Sequence, residues 1–158
     1  MTMTIERAGA RHLAGWAGLR AALWPDQDAD QHQEELAETL AAANERDFAC
    51  VALTEEGGCI GFAEAALRND YVNGCETSPV VFLEGIFVAE RHRRSGIARM
   101  LCGAVAAWGH ARGCSEFASD AAIDNAASLA LHRALGFIET ERVVFFRKAV
   151  GPPETAED

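Results

Sequence analysis

One stretch constrains the fold more than any other: Val80-Val-Phe-Leu-Glu-Gly-Ile-Phe-Val88, then Arg91-His-Arg-Arg-Ser-Gly-Ile-Ala98, then a helical pattern reaching Arg112. The first part is apolar except at Glu84 and Gly85 and reads as the strongest strand of the chain. After the basic turn, Ile97, Leu101, Val105 and Trp108 recur at the three-to-four spacing of one buried helical stripe. Gly113 then ends that helix, as a C-terminal glycine does. A strand feeding a helix through a glycine turn places the chain among folds in which helices cover a sheet.

The rest of the sequence supplies that sheet and its cover. The spacing of Leu13, Trp16, Leu19, Arg20 and Leu23 predicts a helix over Arg7–Trp24, stopped by Pro25 and Asp26. A second helix is expected over Gln31–Arg46, with Glu34, Glu35 and Glu38 in its first half, where acids suit the dipole. Phe48–Thr54 and Cys59–Leu67 read as a hairpin about a turn at Glu55–Gly58. Arg68–Pro79 is a polar, irregular loop, and a loop of that length is usually functional or mobile. Downstream, Glu116–Asp120 reads as a short strand and Asp124 as the N-cap of a helix reaching Leu135. Val143–Lys148 reads as a last strand. With no internal repeat or linker, residues 1–150 are expected to form a single α+β domain, a mixed, partly parallel central sheet flanked by helices. Residues 151–158 hold two prolines and three acids with little to bury, and are expected to be disordered.

Composition narrows the functional classes. At 158 residues and 49% hydrophobic content, the chain can bury a core without metals or disulfides. No segment approaches the ~20 apolar residues that span a bilayer. Met1–Arg7 lacks the basic-then-apolar pattern of a secretory signal, so a soluble cytoplasmic protein is expected. The five cysteines are odd in number and form no Cys-x-x-Cys pair, which predicts reduced, mostly buried thiols. His12, His32, His92 and His110 show no metal-ligand spacing, and no metal site is expected. Net charge is −10, of which three charges lie in the tail and seven on residues 1–150. Such a surface repels nucleic acid and anionic lipid and attracts cations.

Against that acidic background, Arg91, Arg93, Arg94 and Arg99 stand out. A glycine-containing basic turn that opens a helix exposes backbone N–H groups and adds the helix's partial positive charge, which together make an anion cradle. Gly96 lets phosphate oxygens approach the backbone, and Ala98 keeps the first helical turn uncrowded. A solvated basic turn is the alternative reading.

Two elements then carry a resemblance. Arg93-Arg-Ser-Gly96-Ile-Ala98 has the form Arg/Gln-x-x-Gly-x-Gly/Ala between a strand and a helix. An Asn opens a helix ending in Leu-Gly-Phe, at Asn125 to Leu135-Gly-Phe137. In this order they resemble the GCN5-related N-acetyltransferase superfamily, over roughly residues 3–150. Leu19-Arg-Ala-Ala-Leu-Trp24-Pro-Asp26, Leu83 to Val88, Glu116 to Ala121, Asp124-Asn125 with Ser128, and Gly136 to Lys148 resemble the aminoglycoside 6′-N-acetyltransferases within it. The resemblance implies acetyl-CoA as co-substrate and a polycationic amino sugar as acceptor, with antibiotic resistance as the consequence. It also implies a homodimer with the Arg68–Pro79 loop or the last strand near the partner.

It further implies roles for individual residues. The backbone N–H groups of Ile86, Phe87 and Val88 would pair with the pantetheine, the Val88 amide serving as the donor to the thioester carbonyl. Arg93, Arg94, Ser95, Gly96, Ile97 and Ala98 would hold the pyrophosphate. Asn125 would contact the pantetheine arm, or serve simply as a helix-start residue. Trp24, Asp26 and Tyr71 would line the acceptor side, although Trp24 reads equally as a core anchor.

Proton transfer is the harder requirement. A free alkyl amine with a pKa near ~10 is almost wholly protonated at neutral pH, and only the neutral form attacks. Glu84 is an acid in an apolar strand, where a carboxylate is costly without a partner. It is expected to act as a base through water, as a docking residue, or as a salt-bridge partner. Asp120 reads as a docking acid or a strand-end cap. Many superfamily members place a Tyr four residues before the Gly-Phe element as general acid. His132 stands in its place, and is either that acid or a packed helical His. A peptide N-terminus, a polyamine or another small amine is an alternative acceptor, and a non-catalytic acyl-CoA-binding sensor is an alternative function.

Overall fold

The structure is a computed structural model that describes residues 2–153, so the expectation for the acidic tail falls mostly outside the described residues. Five strands, β1 (Met3–Arg7), β2 (Asp47–Thr54), β3 (Cys59–Arg68), β4 (Val80–Val88) and β5 (Phe117–Ala118), lie in the order in which they occur in the sequence. Four helices accompany them: α1 (Leu13–Leu23), α2 (Ala29–Ala42), α3 (Ile97–Ala111) and α4 (Ala126–Ala134). The strands β1 to β4 pair antiparallel, whereas β4 and β5 run parallel and are joined through α3. This is the mixed, partly parallel sheet expected from the sequence, because a parallel step needs a crossover that a hairpin cannot provide.

The sheet separates two apolar layers. On one face α3 packs Ile97, Leu101, Val105 and Trp108 against Ala63, Ala65, Val81, Leu83 and Val88. A Cβ at Gly109 would come within 2.7 Å of Val81, so this glycine sets how closely α3 lies on β4. On the other face α1 and α2 cover Val51, Leu53 and Phe62 with Trp16, Ala17 and Leu36.

Several boundaries differ from the sequence reading, each for a local reason. The expected helix over Arg7–Trp24 begins only at Leu13, because Met3–Arg7 is an edge strand paired with Cys50–Thr54. Met3 and Ile5 pack on the α3-side core, a period-two signal too short to stand out in the sequence. In α2, Asp28 and Gln31 form a reciprocal cap, so the helix starts two residues early, and Ala43 at φ 48° ends it before Arg46. Asn125, not Asp124, caps α4, its side-chain oxygen accepting from the Ser128 N–H at 3.1 Å. Val143–Lys148 forms no strand: it runs without a ladder partner, with Phe145 86% and Phe146 93% exposed.

The five cysteines are free thiols; Cys50, Cys102 and Cys114 are buried, while Cys59 and Cys75 are half-buried. Burial pushes the Cys50 thiol up to about 12 and the Cys102 thiol up to about 11, so neither supplies thiolate near neutrality. A thiol reagent applied to the folded protein should label Cys59 and Cys75 and spare Cys50, Cys102 and Cys114. Full labelling should require denaturant, which mass spectrometry of the labelled peptides checks.

Candidate active site

The chemistry gathers where β4 stops being an ordinary strand. Register against β3 jumps from Glu64↔Gly85 to Ala65↔Leu83, leaving Glu84 as an extra residue with no partner opposite. That bulge turns the side chain of Glu84 and the open face of Gly85 toward α1 and α2 together. Beyond it, the Ala89 N–H donates to Ile60 O at 2.8 Å on the β3 side. Alternation therefore directs the Phe87 N–H to β3 and the Ile86 and Val88 N–H groups away from it. On that other side β5 pairs only with Val81 and Phe82, so the Ile86 and Val88 donors face a gap in the sheet. Of the three expected pantetheine contacts, Ile86 and Val88 have free amides, whereas the Phe87 amide belongs to the ladder.

The turn after β4 is built to receive anions. Arg93 Nε donates to Val88 O at 2.9 Å, and the guanidinium lies 5.3 Å from the centre of the Phe87 ring, tying the turn to the end of the strand. Arg94 and Gly96 both adopt positive φ, 64° and 81°, and Gly96 is the N-cap of α3. Alternating left-handed residues aim successive N–H groups into one concavity, and the first N–H groups of α3 lack intrahelical acceptors. A Cβ at Gly96 would meet no atom within 4 Å, so the approach to this backbone is open. These features fit a diphosphate held by Arg93 to Ala98. Ser95 donates instead to His92 O, which shapes the turn.

On the opposite side of the bulge lies a cavity of about 400 Å³ lined by Arg20, Trp24, His32, Glu35, Glu64 and Glu84. Trp24, at the end of α1, forms its wall. The Trp24 ring abuts Gly85, where a Cβ would fall 2.5 Å from its Cζ2 and Cη2 atoms, and meets Phe62 edge-on at 6.0 Å. Arg20 covers the ring at 5.1 Å, and His32 Nε2 donates to Trp24 O at 2.9 Å. Glu84 pairs with Arg68 at 3.2 Å, but both side chains are about two-fifths exposed, 41% and 43%. A pair so exposed adds little stability. At that exposure the carboxylate is hydrated, so the cost expected of an acid within an apolar strand is not incurred.

The remaining expected residues are placed differently. Asp26 and Tyr71 are exposed outside this cavity, Tyr71 by 77%, and Asp120 is exposed beyond β5. His132 has both ring nitrogens engaged: Nδ1 donates to Ser128 O at 2.7 Å, and Nε2 lies 2.8 Å from Ser119 Oγ. The ring also meets Phe137 edge-on at 5.3 Å, so His132 ties α4 to the segment after β5. Asn125 spends its side-chain oxygen on the cap of α4. Among the described residues no group of three or more His, Cys, Asp or Glu is arranged to hold a metal ion.

Sequence reasoning passed over Glu64, Arg20 and His32. Glu64 carried a usable signal, since it is an acid within the apolar strand Cys59–Leu67, just as Glu84 is within β4. It is only 16% exposed, takes a hydrogen bond from Trp16 Nε1 at 3.2 Å and pairs with Arg20 at 3.1 Å. Burial pushes its carboxyl up, and Arg20 opposes that rise. Gly85 is the residue on which the wall rests. Gly85→Ala should shift tryptophan emission and destabilise the fold by about 1–3 kcal/mol, as overpacking does; an unchanged spectrum and melting curve would show that the ring is not confined.

Comparison with known proteins agrees with this geometry. Residues 16–137 match the Acetyltransferase (GNAT) family. An aminoglycoside N(6′)-acetyltransferase type 1 from Serratia marcescens is 52% identical over 140 residues, covering 89% of this chain and 94% of that protein. The crystal structure of aminoglycoside 6′-N-acetyltransferase AAC(6′)-Ih from Acinetobacter baumannii superposes with a TM-score of 0.89 at 46% identity, covering 95% of this chain and all of that one. AAC(6′)-Iy in complex with a bisubstrate analogue, CoA-S-monomethyl-acetylneamine, gives 0.86 at 46% identity, again over 95% and 100%. Matched over most of its length by the family model and by relatives about half identical to it, the chain belongs to the Acetyltransferase (GNAT) family.

Proposed function

We propose that the protein transfers acetyl from acetyl-CoA to the 6′-amine of aminoglycosides by direct attack in a ternary complex. The observation that carries this reading is the two-sidedness of β4 at its bulge. Free amides and a basic turn lie toward the gap with β5, while an acidic, aromatic-walled cavity lies toward α1 and α2. The relatives named above act on the same substrate class. Aminoglycosides are polycations, which suits the seven net negative charges on residues 1–150.

Acetyl-CoA supplies an activated acyl group and a thiolate leaving group whose ordinary pKa of about 8.5 makes departure easy. Ile86, Val88 and Arg93 to Ala98 hold it, and the Val88 N–H is the donor toward the carbonyl oxygen. Trp24 presents its face to the sugar, Asp26, Tyr71 and Asp120, exposed outside the cavity, meet only parts of the acceptor that project from it, and Asn125 lies on the cofactor side. Glu84 exchanges Arg68 for the arriving ammonium and accepts its proton through water. The neutral nitrogen then attacks and the C–N bond forms; as the C–S bond breaks, the nitrogen's second proton passes through water to the departing thiolate. His132, whose Nε2 faces the Ser119 hydroxyl, relays that proton or serves only to anchor α4. No cysteine participates, because burial raises all five thiols above their ordinary pKa, those of Cys50 and Cys102 furthest.

The reaction is read by CoA release with tobramycin, spermidine and an N-terminal peptide, tobramycin being the favoured acceptor. Glu84→Gln should lower kcat about 100-fold or more, the scale of lost general base catalysis. Intact kcat with only a raised acceptor KM would reduce Glu84 to docking. His132→Ala should lower turnover only modestly, whereas a loss of several orders of magnitude would make it the principal acid.

The protein also acts as a homodimer in the cytoplasm. Val144, Phe145 and Phe146 are 75%, 86% and 93% exposed, and β5 has a neighbour on one side only. An exposed apolar run without a ladder partner and a separate open sheet edge both favour pairing with a second copy. Light scattering should give twice the chain mass for the full protein and the single-chain mass after removal of residues 143–158. A full-length monomer would overturn the dimer.

A further inference from the structure

Once an arriving ammonium displaces Arg68 from Glu84, the acceptor cavity still holds one carboxylate charge unanswered. Glu35, Glu64 and Glu84 line it, answered within the cavity by Arg20 and at its edge by Arg68. The two contacts to Glu64, from Trp16 Nε1 and Arg20 Nε, both fall on Oε2, which leaves Oε1 for a ligand. Arg20 Nε sits at ion-pair distance from Glu64 without hydrogen-bond alignment, so the buried carboxylate is incompletely neutralised. The second and independent observation is His32. It is 2% exposed, and because Nε2 donates to Trp24 O, its Nδ1 presents a buried lone pair with no partner. A buried acceptor left unpaired is costly, and a donor brought by a ligand relieves it.

We propose that Glu64 and His32 form a second-ammonium subsite, taking an amine carried on the same sugar ring as the amine to be acetylated. The proposal rests on the aminoglycoside reading above and adds a specificity determinant to it. The register carries it: Glu64 faces Gly85 directly across the ladder, and Glu84 is the next residue along. Their side chains emerge on one face within about 8 Å of each other, the spacing of neighbouring cross-strand positions. Two carboxylates so placed match two ammonium groups separated by a single pyranose ring, one at Glu84 and one at Glu64. The second ammonium donates to Glu64 Oε1 and to His32 Nδ1, while the face of Trp24 packs on the ring between them. A hydroxyl in the same place offers a hydrogen bond but no charge.

Kanamycin B and kanamycin A test this directly, because they carry the same 6′-amine and differ only in an amine or a hydroxyl at C2′. The wild-type enzyme should favour kanamycin B by about tenfold in kcat/KM, the scale of one charge-assisted hydrogen bond. Glu64→Gln should bring that ratio close to one, since it removes the charge and keeps the shape. Glu35→Gln, at the half-exposed rim, should reduce the ratio by less. A structural role for Glu64 would depress both acceptors alike and leave the ratio intact, and that result overturns the subsite. Should Glu64→Gln fail to fold, the wild-type ratio decides alone, and a value near one overturns it. Turnover of neither kanamycin defeats the aminoglycoside reading and the subsite with it, whereas turnover of both at equal efficiency defeats the subsite only.

Discussion

The departure of β5 from β4 after two residues of parallel pairing is the constraint on which the rest depends. Backbone N–H groups in a sheet are normally consumed by the neighbouring strand, and an unpaired buried donor is unfavourable. Here β5 bonds only beside Val81 and Phe82, and the chain turns toward α4, leaving the Ile86 and Val88 amides for a ligand. The strand stays in place because its other edge is fully laddered to β3, and because α3 packs Ile97, Leu101 and Val105 beneath it. One edge of β4 is therefore spent on structure while the other is left open beyond Phe82.

The bulge at Glu84 works with that opening. A regular strand would put Glu84 and Gly85 on opposite faces, so that either the carboxylate or the seat of Trp24 would be lost. One extra residue brings both to the α1–α2 face. The ring can then rest against a glycine with an acid beside it. Trp24 is in turn fixed from four directions, by Gly85, Phe62, Arg20 and the His32 hydrogen bond to its carbonyl. Such a wall loses little side-chain freedom when a sugar packs against it, which favours binding.

Charge divides along the same line. The overall acidity of the chain is interrupted by Arg91, Arg93 and Arg94 in the turn after β4 and by Arg99 on α3, whose guanidinium donates to Ala134 O. Glu84 and Glu64 lie on the far side of β4, in the cavity proposed to take the cation. In that reading, anionic and cationic substrates approach separate flanks of a single strand and meet at its bulge. Arg93 spans the two functions locally, its Nε holding Val88 O while its charge stays in the anion turn.

The sequence by itself determined the elements and the chemistry that is local in the chain. The β4–turn–α3 unit was legible because its apolar run, glycine turn and helical stripe are contiguous. Arg93 to Ala98 could be read as an anion cradle because a turn's backbone geometry depends on its own residues. Glu84 was visible as an acid out of place. Tertiary structure alone decided which side chains meet. Glu64, Arg20 and His32 come from β3, α1 and α2, and no local pattern announces that they share a cavity with Glu84. The bulge was equally hidden, because register is set by the packing of two faces rather than by either strand. The same holds at the ends of the chain, where Met3–Arg7 became a strand by pairing with β2, while Val143–Lys148, with better strand chemistry, found no neighbour. Strand propensity is a property of residues, but a strand exists only where a second one lies beside it.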